Sequence, residues 1–307
     1  MIPIPRDILN ESMRLKHYAR ENADILYFGD SITFFSAPGD KIPNSMQGIL
    51  GRLLHTKIFA IANAAFDMVV YYDICKHLFN EGYRPKIVIV PINIRSFGLE
   101  WDKNPSWQFM RKRKIWMLQD SLILHFFKPL SVFKYDQPPL TKMAYENLGV
   151  FDGDRLVGRV RDFEVFSTTS INDEMRKKLI IFRYFYPLSS DHPKIKVLQE
   201  LADLLKSQGI KGIFYITPVD YQTGEYYMGN KFSEQIKEKV QIIKEALAKR
   251  DTEVLDFSFF LSAKFFNSSP STDSFMTEHL KFEGRASVVA YLLRAMIEAQ
   301  DLNIPHP

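Results

Sequence analysis

The sequence has one cysteine, Cys75, and this scarcity limits how the fold can be stabilised. A single thiol excludes a disulfide within the chain and is typical of a protein in a reducing compartment. Residues 1–7 lack the basic stretch followed by an apolar stretch that marks a secretory signal. No apolar run approaches the length that crosses a bilayer. We therefore predict a soluble cytoplasmic protein.

The sequence also lacks a strong excess of charge of one sign. Its 40 basic and 36 acidic residues leave a formal net charge of +4, which argues against nucleic acid as the main partner. A glycine-rich phosphate loop, a dinucleotide-binding motif and a Cys or His pair at metal-ligand spacing are all missing. We therefore expect no nucleic acid partner, no metal and no other cofactor.

The sequence does contain a repeated alternation of short apolar runs and helical patterns. Apolar runs that stop at glycine, proline or polar residues predict buried strands at residues 25–29, 57–65, 85–93, 212–217 and 253–257. Apolar residues at helical spacing predict helices at 45–54, 67–80, 195–207, 232–249 and 283–299, and residues 221–230 are predicted to form a loop. At 307 residues and 46% hydrophobic, the chain can bury a large core. This pattern favours an α/β fold with a five-stranded parallel sheet covered on both faces.

Ser31 follows the first predicted strand, which ends in Gly29 and Asp30. Ligands of open α/β sheets bind at the carboxyl ends of the strands. A serine there acts as a nucleophile if a base removes its proton and hydrogen-bond donors hold the oxyanion. The alternative is that Ser31 only caps the segment that follows it. Asp30 likewise has a structural alternative, in which it bonds backbone groups of the turn.

Two residues elsewhere in the chain complete a possible reaction centre. Asn93 ends the third predicted strand, and His279 lies after the last strand and just before the last helix. Both therefore belong at the same edge of the sheet as Ser31. A histidine there can take the serine proton and return it to a leaving group. The alternative is that His279 is only a solvent-exposed residue at the start of a helix.

These residues resemble the motifs of the SGNH or GDSL hydrolases. The resemblance rests on Gly29-Asp30-Ser31, on Asn63 after the second strand, on Asn93, and on His279-Leu280 with Gly284 following. It covers residues 24–94 and about 192–300. It implies a flavodoxin-like three-layer α/β/α sandwich with Ser31 as nucleophile. It also implies an oxyanion hole built from the Ser31 N–H, an N–H of the second motif and the Asn93 side chain.

The chain departs from that family at three places. The glycine of the second motif is replaced by Ala64 or Ala65, which still offer an N–H. The third motif keeps only its asparagine. The family's acid, three positions before the histidine, falls on Met276, so that Asp273 and Glu278 are the nearby carboxylates for orienting His279. A dyad of Ser31 and His279 without an acid is the remaining alternative.

The alternation of strand and helix stops between residues 95 and 190, which we predict to form an inserted cap on a core of residues 1–94 and 191–307. We assign substrate binding to five residues near the expected site: Asp30, Asn63, Arg95, Trp101 and Trp107. Arginine and aromatic faces suit sugars and anionic groups; the alternative is that these aromatics are the core of the cap. The basic run at 111–114 with the apolar stripe to 127 suggests a weak contact with a membrane surface.

These residues and the resemblance predict a serine-dependent hydrolase of acyl esters. The resemblance, together with the aromatic residues of the cap, implies O-acetylated carbohydrates or cell-surface polysaccharide precursors as the substrate class. The first alternative is an O-acyltransferase that moves the acyl group to a sugar hydroxyl. The second is a binding protein whose catalytic site has degenerated, which would explain Met276. The sequence leaves the oligomeric state open.

Overall fold

A parallel sheet of five strands organises the chain in the computed structural model, which describes residues 23–34, 45–110, 112–113, 140–163, 172–266 and 278–298. The strands within these residues are β1 (Ile25–Gly29), β2 (Ile58–Ala62), β3 (Ile87–Ile92), β4 (Gly149–Asp152), β5 (Arg155–Arg159), β6 (Lys211–Ile216) and β7 (Val254–Asp256). The fourth and fifth form a separate antiparallel hairpin. The other five build the sheet.

The strand order of the sheet is β2-β1-β3-β6-β7, and every neighbouring pair is parallel. This is the flavodoxin-like order, in which the direction of chain progression reverses between β1 and β3. The predicted α/β fold with a five-stranded parallel sheet is therefore confirmed. Ligands of such sheets bind where the order reverses, at the carboxyl ends of β1 and β3.

Helices cover both faces of the sheet. The α-helices within the described residues are α1 (Ser31–Phe34), α2 (Met46–Leu54), α3 (Met68–Asn80), α4 (Leu99–Asp102), α5 (Lys142–Glu146), α6 (Asp173–Tyr184), α7 (Pro193–Ser207), α8 (Tyr221–Met228), α9 (Asn230–Ala248) and α10 (Phe282–Glu298). The five predicted helices are present with ends within a few residues of the expected ones.

Successive residues of each strand enter two different cores, because side chains alternate across a strand. Leu26 and Phe28 of β1 lie in a core with residues of α3, α6, α7 and α9. Ile25 and Tyr27 lie in a second core with residues of α2 and α10. The molecule is thus a three-layer sandwich with the sheet in the middle.

The prediction of a loop at 221–230 is wrong, because residues 221–228 form α8. Glycines at 224 and 229 suggested irregular structure, but Gly224 lies inside the helix. A Cβ at that position would come within 2.3 Å of the Phe232 ring, so the glycine permits α8 to pack closely on α9. Asp220 accepts a hydrogen bond from the Thr223 N–H and caps the helix.

The described part of the predicted cap, residues 95–190, shares its core with the sheet. Tyr145, Val160, Leu179 and Tyr184 belong to the same buried apolar cluster as Val88 of β3. The described residues of this segment therefore pack as a continuation of the main core, and its division from the core as a domain of its own remains a prediction.

The predicted basic and amphipathic stretch lies mostly outside the described residues, and these exclude Arg111 and Lys114. Arg113 is described, and its Nε donates to the buried Asp73 carboxylate at 2.5 Å. This side chain is therefore committed to an ion pair with α3. The contact of residues 111–127 with a membrane surface stays a prediction. Among the described helices, none combines the length and apolar character needed to span a membrane.

Candidate active site

The carboxyl ends of β1 and β3 are joined by a direct hydrogen bond between the residues that follow them. Asp30 follows β1 and Asn93 follows β3, and each is at most 5% exposed. The Asn93 Nδ2 donates to Asp30 Oδ2 at 2.9 Å. This contact lies at the reversal point of the sheet, where the fold predicts a ligand site.

Asp30 also organises the turn that leads to Ser31. Its Oδ1 accepts a hydrogen bond from the Ile32 N–H at 2.8 Å, and its carbonyl accepts one from the Thr33 hydroxyl. Asp30 therefore caps α1, which matches the structural role considered for it and removes the need for Ser31 to serve as the cap. Ser31 is the first residue of the helix and is partly exposed.

Glu278, the residue before His279, also bonds to Asn93, so the segment that carries His279 lies beside the ends of β1 and β3. The Asn93 Nδ2 donates a second hydrogen bond, to Glu278 Oε2 at 3.2 Å, and the Glu278 side chain is 1% exposed. One amide nitrogen therefore bridges the carboxylate beside Ser31 and the carboxylate beside His279. The two predicted catalytic residues each lie one position from this bridge.

Burial changes the acidity of both carboxyl groups. Removal from water raises the pKa of Asp30 above its usual range, and the Asn93 hydrogen bond only partly opposes this change. Burial likewise raises the pKa of Glu278; Arg95 opposes the shift, and the nearby Asp30 adds to it. Both groups hold their protons more strongly than an exposed carboxyl group does.

The His279 ring is half-buried, and this environment favours its neutral form. Burial lowers the pKa of His279, and the positive charge of Arg95 lowers it further. A neutral imidazole can accept a proton, as a general base must. The electrostatics of this edge therefore suit the role predicted for His279.

The loop after β2 contains the backbone N–H groups of Ala64 and Ala65, which differ in their hydrogen bonding. The Ala64 N–H donates to the Asn63 Oδ1 at 2.8 Å, so it is already used. Among the described residues, the Ala65 N–H has no hydrogen-bond acceptor. Ala65 has a φ of +59°, in the left-handed region that a glycine adopts at no steric cost. Of the two alanines, Ala65 is thus the one whose N–H makes no hydrogen bond within the described residues, and the residue is 5% exposed.

The Asn93 side chain has no spare donor in this arrangement. Its Nδ2 donates to both carboxylates, and its Oδ1 accepts from the Arg95 N–H at 3.0 Å. Donation to an oxyanion requires Asn93 to exchange one of the two carboxylate bonds.

Arg95 and Trp101, two of the predicted substrate-binding residues, are buried among protein groups. The Arg95 Nη2 donates to Glu100 Oε2 at 2.5 Å, and Nη1 lies 3.7 Å from Glu278 Oε2. The guanidinium lies over the Trp101 ring, which is 4% exposed and packs edge-to-face on Trp107 at 5.8 Å. These contacts agree with the alternative in which the aromatics are core, and substrate binding by this group stays a prediction.

The acid that orients His279 is not identified among the described residues. Asp273 and Met276 lie outside them. The Glu278 carboxylate is engaged by Tyr184, which donates to Oε1, and by Asn93 and Arg95. The described residues also contain no group of three His, Cys, Asp or Glu side chains arranged to hold a metal ion.

Sequence reasoning missed three participants in this network: Tyr184, Glu100 and Arg183. Tyr184 is 94 positions from the carboxylate that it contacts, inside an aromatic-rich segment without a recognisable motif. The Arg183 Nε lies 3.6 Å from Glu100 Oε2, so two guanidinium groups share one buried carboxylate. Of these three, only Glu100 could have been found from the sequence, because it lies five residues after Arg95 and carries the opposite charge.

Comparison with known proteins gave matches among solved structures only. No family model matches the sequence, and no curated protein matches it. One similar structure is a protein assigned to the G-D-S-L lipolytic family from Desulfitobacterium hafniense DCB-2, with 12% identity, a TM-score of 0.44 and coverage of 89% of this chain and 99% of the other. Another is an acetylxylan esterase from Geobacillus stearothermophilus, with 12% identity, a TM-score of 0.39 and coverage of 89% and 93%. An aryl esterase from M. smegmatis has 8% identity, a TM-score of 0.37 and coverage of 89% and 98%.

Proposed function

We propose that this protein is a serine-dependent hydrolase of acyl esters, with O-acetyl groups on carbohydrates as the substrate class. Ser31 attacks the ester carbonyl while His279 takes its proton, and His279 then returns the proton to the leaving alcohol. Water attacks the acyl-enzyme in the second half of the reaction, again with His279 as base. The products are the free acid and the alcohol.

The observation that carries the proposal is the Asn93 amide bridge. It joins Asp30, the neighbour of Ser31, to Glu278, the neighbour of His279, although the two carboxylates are 248 positions apart in the chain. The neutral form favoured for His279 supports its role as a base. The partial exposure of Ser31 supports access by a substrate.

The oxyanion of the tetrahedral intermediate is assigned to backbone N–H groups first. The Ser31 N–H and the Ala65 N–H are the two backbone donors, and Asn93 is the side-chain donor. Because Asn93 is bonded to two carboxylates in this structure, its contribution requires the exchange of one bond. Loss of one oxyanion donor costs on the order of 100-fold in rate in enzymes of this type.

The test is hydrolysis of p-nitrophenyl acetate by the wild-type protein and by Ser31→Ala. We expect the substitution to lower kcat by about 10³-fold or more with an unchanged circular dichroism spectrum. A fluorophosphonate probe should label the wild-type protein at Ser31 and leave Ser31→Ala unlabelled. Ser207→Ala, at an exposed position at the end of α7 and before the start of β6, lies at the opposite edge of the sheet; it is the control and should keep full activity and labelling.

The outcomes separate the proposal from its alternatives. Full activity in Ser31→Ala would overturn it. Slow release of acetate together with efficient transfer to a sugar hydroxyl would favour the acyltransferase. No labelling and no turnover of any ester would favour a binding protein with a degenerate site.

A further inference from the structure

Glu278 has a backbone conformation that is costly for its residue type. Its φ is +59°, in the left-handed region where a side chain with a Cβ costs about 1–2 kcal/mol. Its carboxylate is also 1% exposed, and burying a carboxylate is unfavourable unless hydrogen bonds and charges compensate. A residue with two such costs, placed directly before His279, requires strong local partners.

Those partners come from separate parts of the chain. The Tyr184 hydroxyl, at the end of α6, donates to Glu278 Oε1. The Asn93 amide and the Arg95 guanidinium, after β3, contact Oε2 at 3.2 and 3.7 Å. Both carboxylate oxygens are therefore held, each by a different segment.

The chain is also fixed on the other side of His279. Leu280 forms an isolated antiparallel bridge with Phe266, and the Lys281 N–H donates to the Phe265 carbonyl at 2.8 Å. His279 thus lies between an anchor at Glu278 and an anchor at Leu280. With the backbone held at both neighbours, the position of the His279 Cα is fixed and the directions open to the imidazole are limited.

Tyr184 is the part of the anchor that belongs to the predicted cap. Its side chain is 0% exposed, and its ring packs edge-to-face on Phe232 of α9 at 5.1 Å. The hydroxyl therefore has little freedom to move away from Glu278. Through this bond, α6 reaches the segment that carries His279.

We propose that Tyr184 and Glu278 are positioning residues that hold residues 278–280 in the conformation that directs the His279 ring toward the sheet edge. This inference rests on the proposed function, because it takes His279 as the base that activates Ser31. The Tyr184–Glu278 contact acts through the backbone at Glu278, and neither side chain exchanges a proton with the substrate. Glu278 is therefore assigned as an anchor of the segment and not as the acid partner of His279.

The test compares Tyr184→Phe with Tyr186→Phe. Tyr186 is also buried in the same segment, and its hydroxyl donates to the Ile94 carbonyl and not to Glu278. We expect Tyr184→Phe to lower kcat about tenfold or more and to change KM less than twofold, because misplacement of a catalytic group by about 1 Å can cost on the order of 100-fold. Fluorophosphonate labelling of Ser31 should slow by the same factor. Tyr186→Phe should stay within about threefold of wild type in both measurements.

A second pair of variants separates positioning from general stability. Glu278→Gln keeps the shape and part of the hydrogen bonding of the side chain, so it should retain more activity than Glu278→Ala at matched folded fraction. Equal activity of these two variants, or equal losses in Tyr184→Phe and Tyr186→Phe, would overturn the proposal. In either case the proposed hydrolase function could still hold, since Ser31→Ala tests it separately.

An NMR measurement tests the inference independently of ester hydrolysis. The ring Cε1–H resonance of His279, assigned from its loss in His279→Gln, reports the surroundings of the imidazole directly. We expect this resonance to shift in Tyr184→Phe and to keep its wild-type position in Tyr186→Phe. An unshifted resonance in Tyr184→Phe would overturn the inference whether or not the protein hydrolyses esters.

Discussion

Ala65 shows how a single residue can meet a backbone requirement against its own preference. Its φ of +59° lies in the left-handed region, and the side chain is 5% exposed. The SGNH-like motif has a glycine in this loop, and the structure shows that Ala65 adopts a conformation typical of glycine. An alanine at this position therefore carries a cost in conformational energy that a glycine would not.

This interpretation predicts different outcomes at two neighbouring positions. Ala65→Val places a β-branched side chain at positive φ in a buried site and should lower the free energy of unfolding by about 2 kcal/mol or more. Ala64→Val, at an exposed position without positive φ, should change it by less than about 0.5 kcal/mol. Ala65→Gly relieves the strain and should stay within about 1 kcal/mol of wild type. Urea denaturation measures all three, and equal losses in the two valine variants would contradict the role of strain.

At the scale of elements, one carboxylate holds two helices to the sheet edge. Asp67 caps α3, since its Oδ1 accepts from the Val69 N–H at 3.0 Å. Its Oδ2 lies 2.7 Å from the Nζ of Lys194, a residue of α7 that is 5% exposed. The same Nζ donates to the Ser96 carbonyl at 2.5 Å. The residue that caps α3 is therefore also half of a buried ion pair.

Asp67→Ala should therefore cost more than the loss of an ordinary cap. Removing the carboxylate takes from the buried Lys194 its nearest counter-charge, while Asp102 Oδ1 stays 3.7 Å from the same Nζ. A buried charge left without any partner costs about 3–5 kcal/mol, so we expect a loss of about 2–3 kcal/mol here. Thr141→Ala is the matched control, because Thr141 caps α5 through the Ala144 N–H and the cap carries no ion pair. Its expected cost is about 1 kcal/mol. Urea denaturation gives both values, and a similar loss in the two variants would show that the buried ion pair contributes little.

For the whole molecule, the shared core leads us to expect that the described part of the predicted cap and the sheet unfold together. Leu179 of α6 is 4% exposed and belongs to the apolar cluster that includes Val88 and Val90 of β3. Contacts of this kind couple the unfolding of the segment to that of the sheet. The polar network of the candidate site also joins these two parts, through the bond from Tyr184 to Glu278.

Leu179→Ala should accordingly destabilise the entire molecule. The expected loss is about 2–5 kcal/mol, from the lost apolar contact and the cavity left behind. Differential scanning calorimetry should show one transition in the wild type and one transition at lower temperature in the variant. Leu53→Ala, at a position 49% exposed, should change the transition temperature little. Two transitions, of which only one responds to Leu179→Ala, would indicate that the cap is an independent domain.

The sequence was informative wherever the signal is local. The strands, the helices and the α/β class follow from the order of apolar and polar residues within short stretches. The prediction failed at α8, because Gly224 suggested a loop although it serves the close packing of α8 on Phe232. Glycine occurs both in loops and where helices pack closely, and only the neighbouring residue in the folded structure distinguishes the two situations.

By itself, the sequence determined the layered α/β fold and the edge of the sheet at which Ser31, Asn93 and His279 belong, because hydrophobic periodicity and strand direction are properties of the local chain. Tertiary structure alone decided the partners of the buried polar groups. Glu278 bonds to residues 94 and 185 positions away, and no spacing rule connects such positions. These contacts arise because buried carboxylates need partners, and the folded chain determines which donors lie within reach.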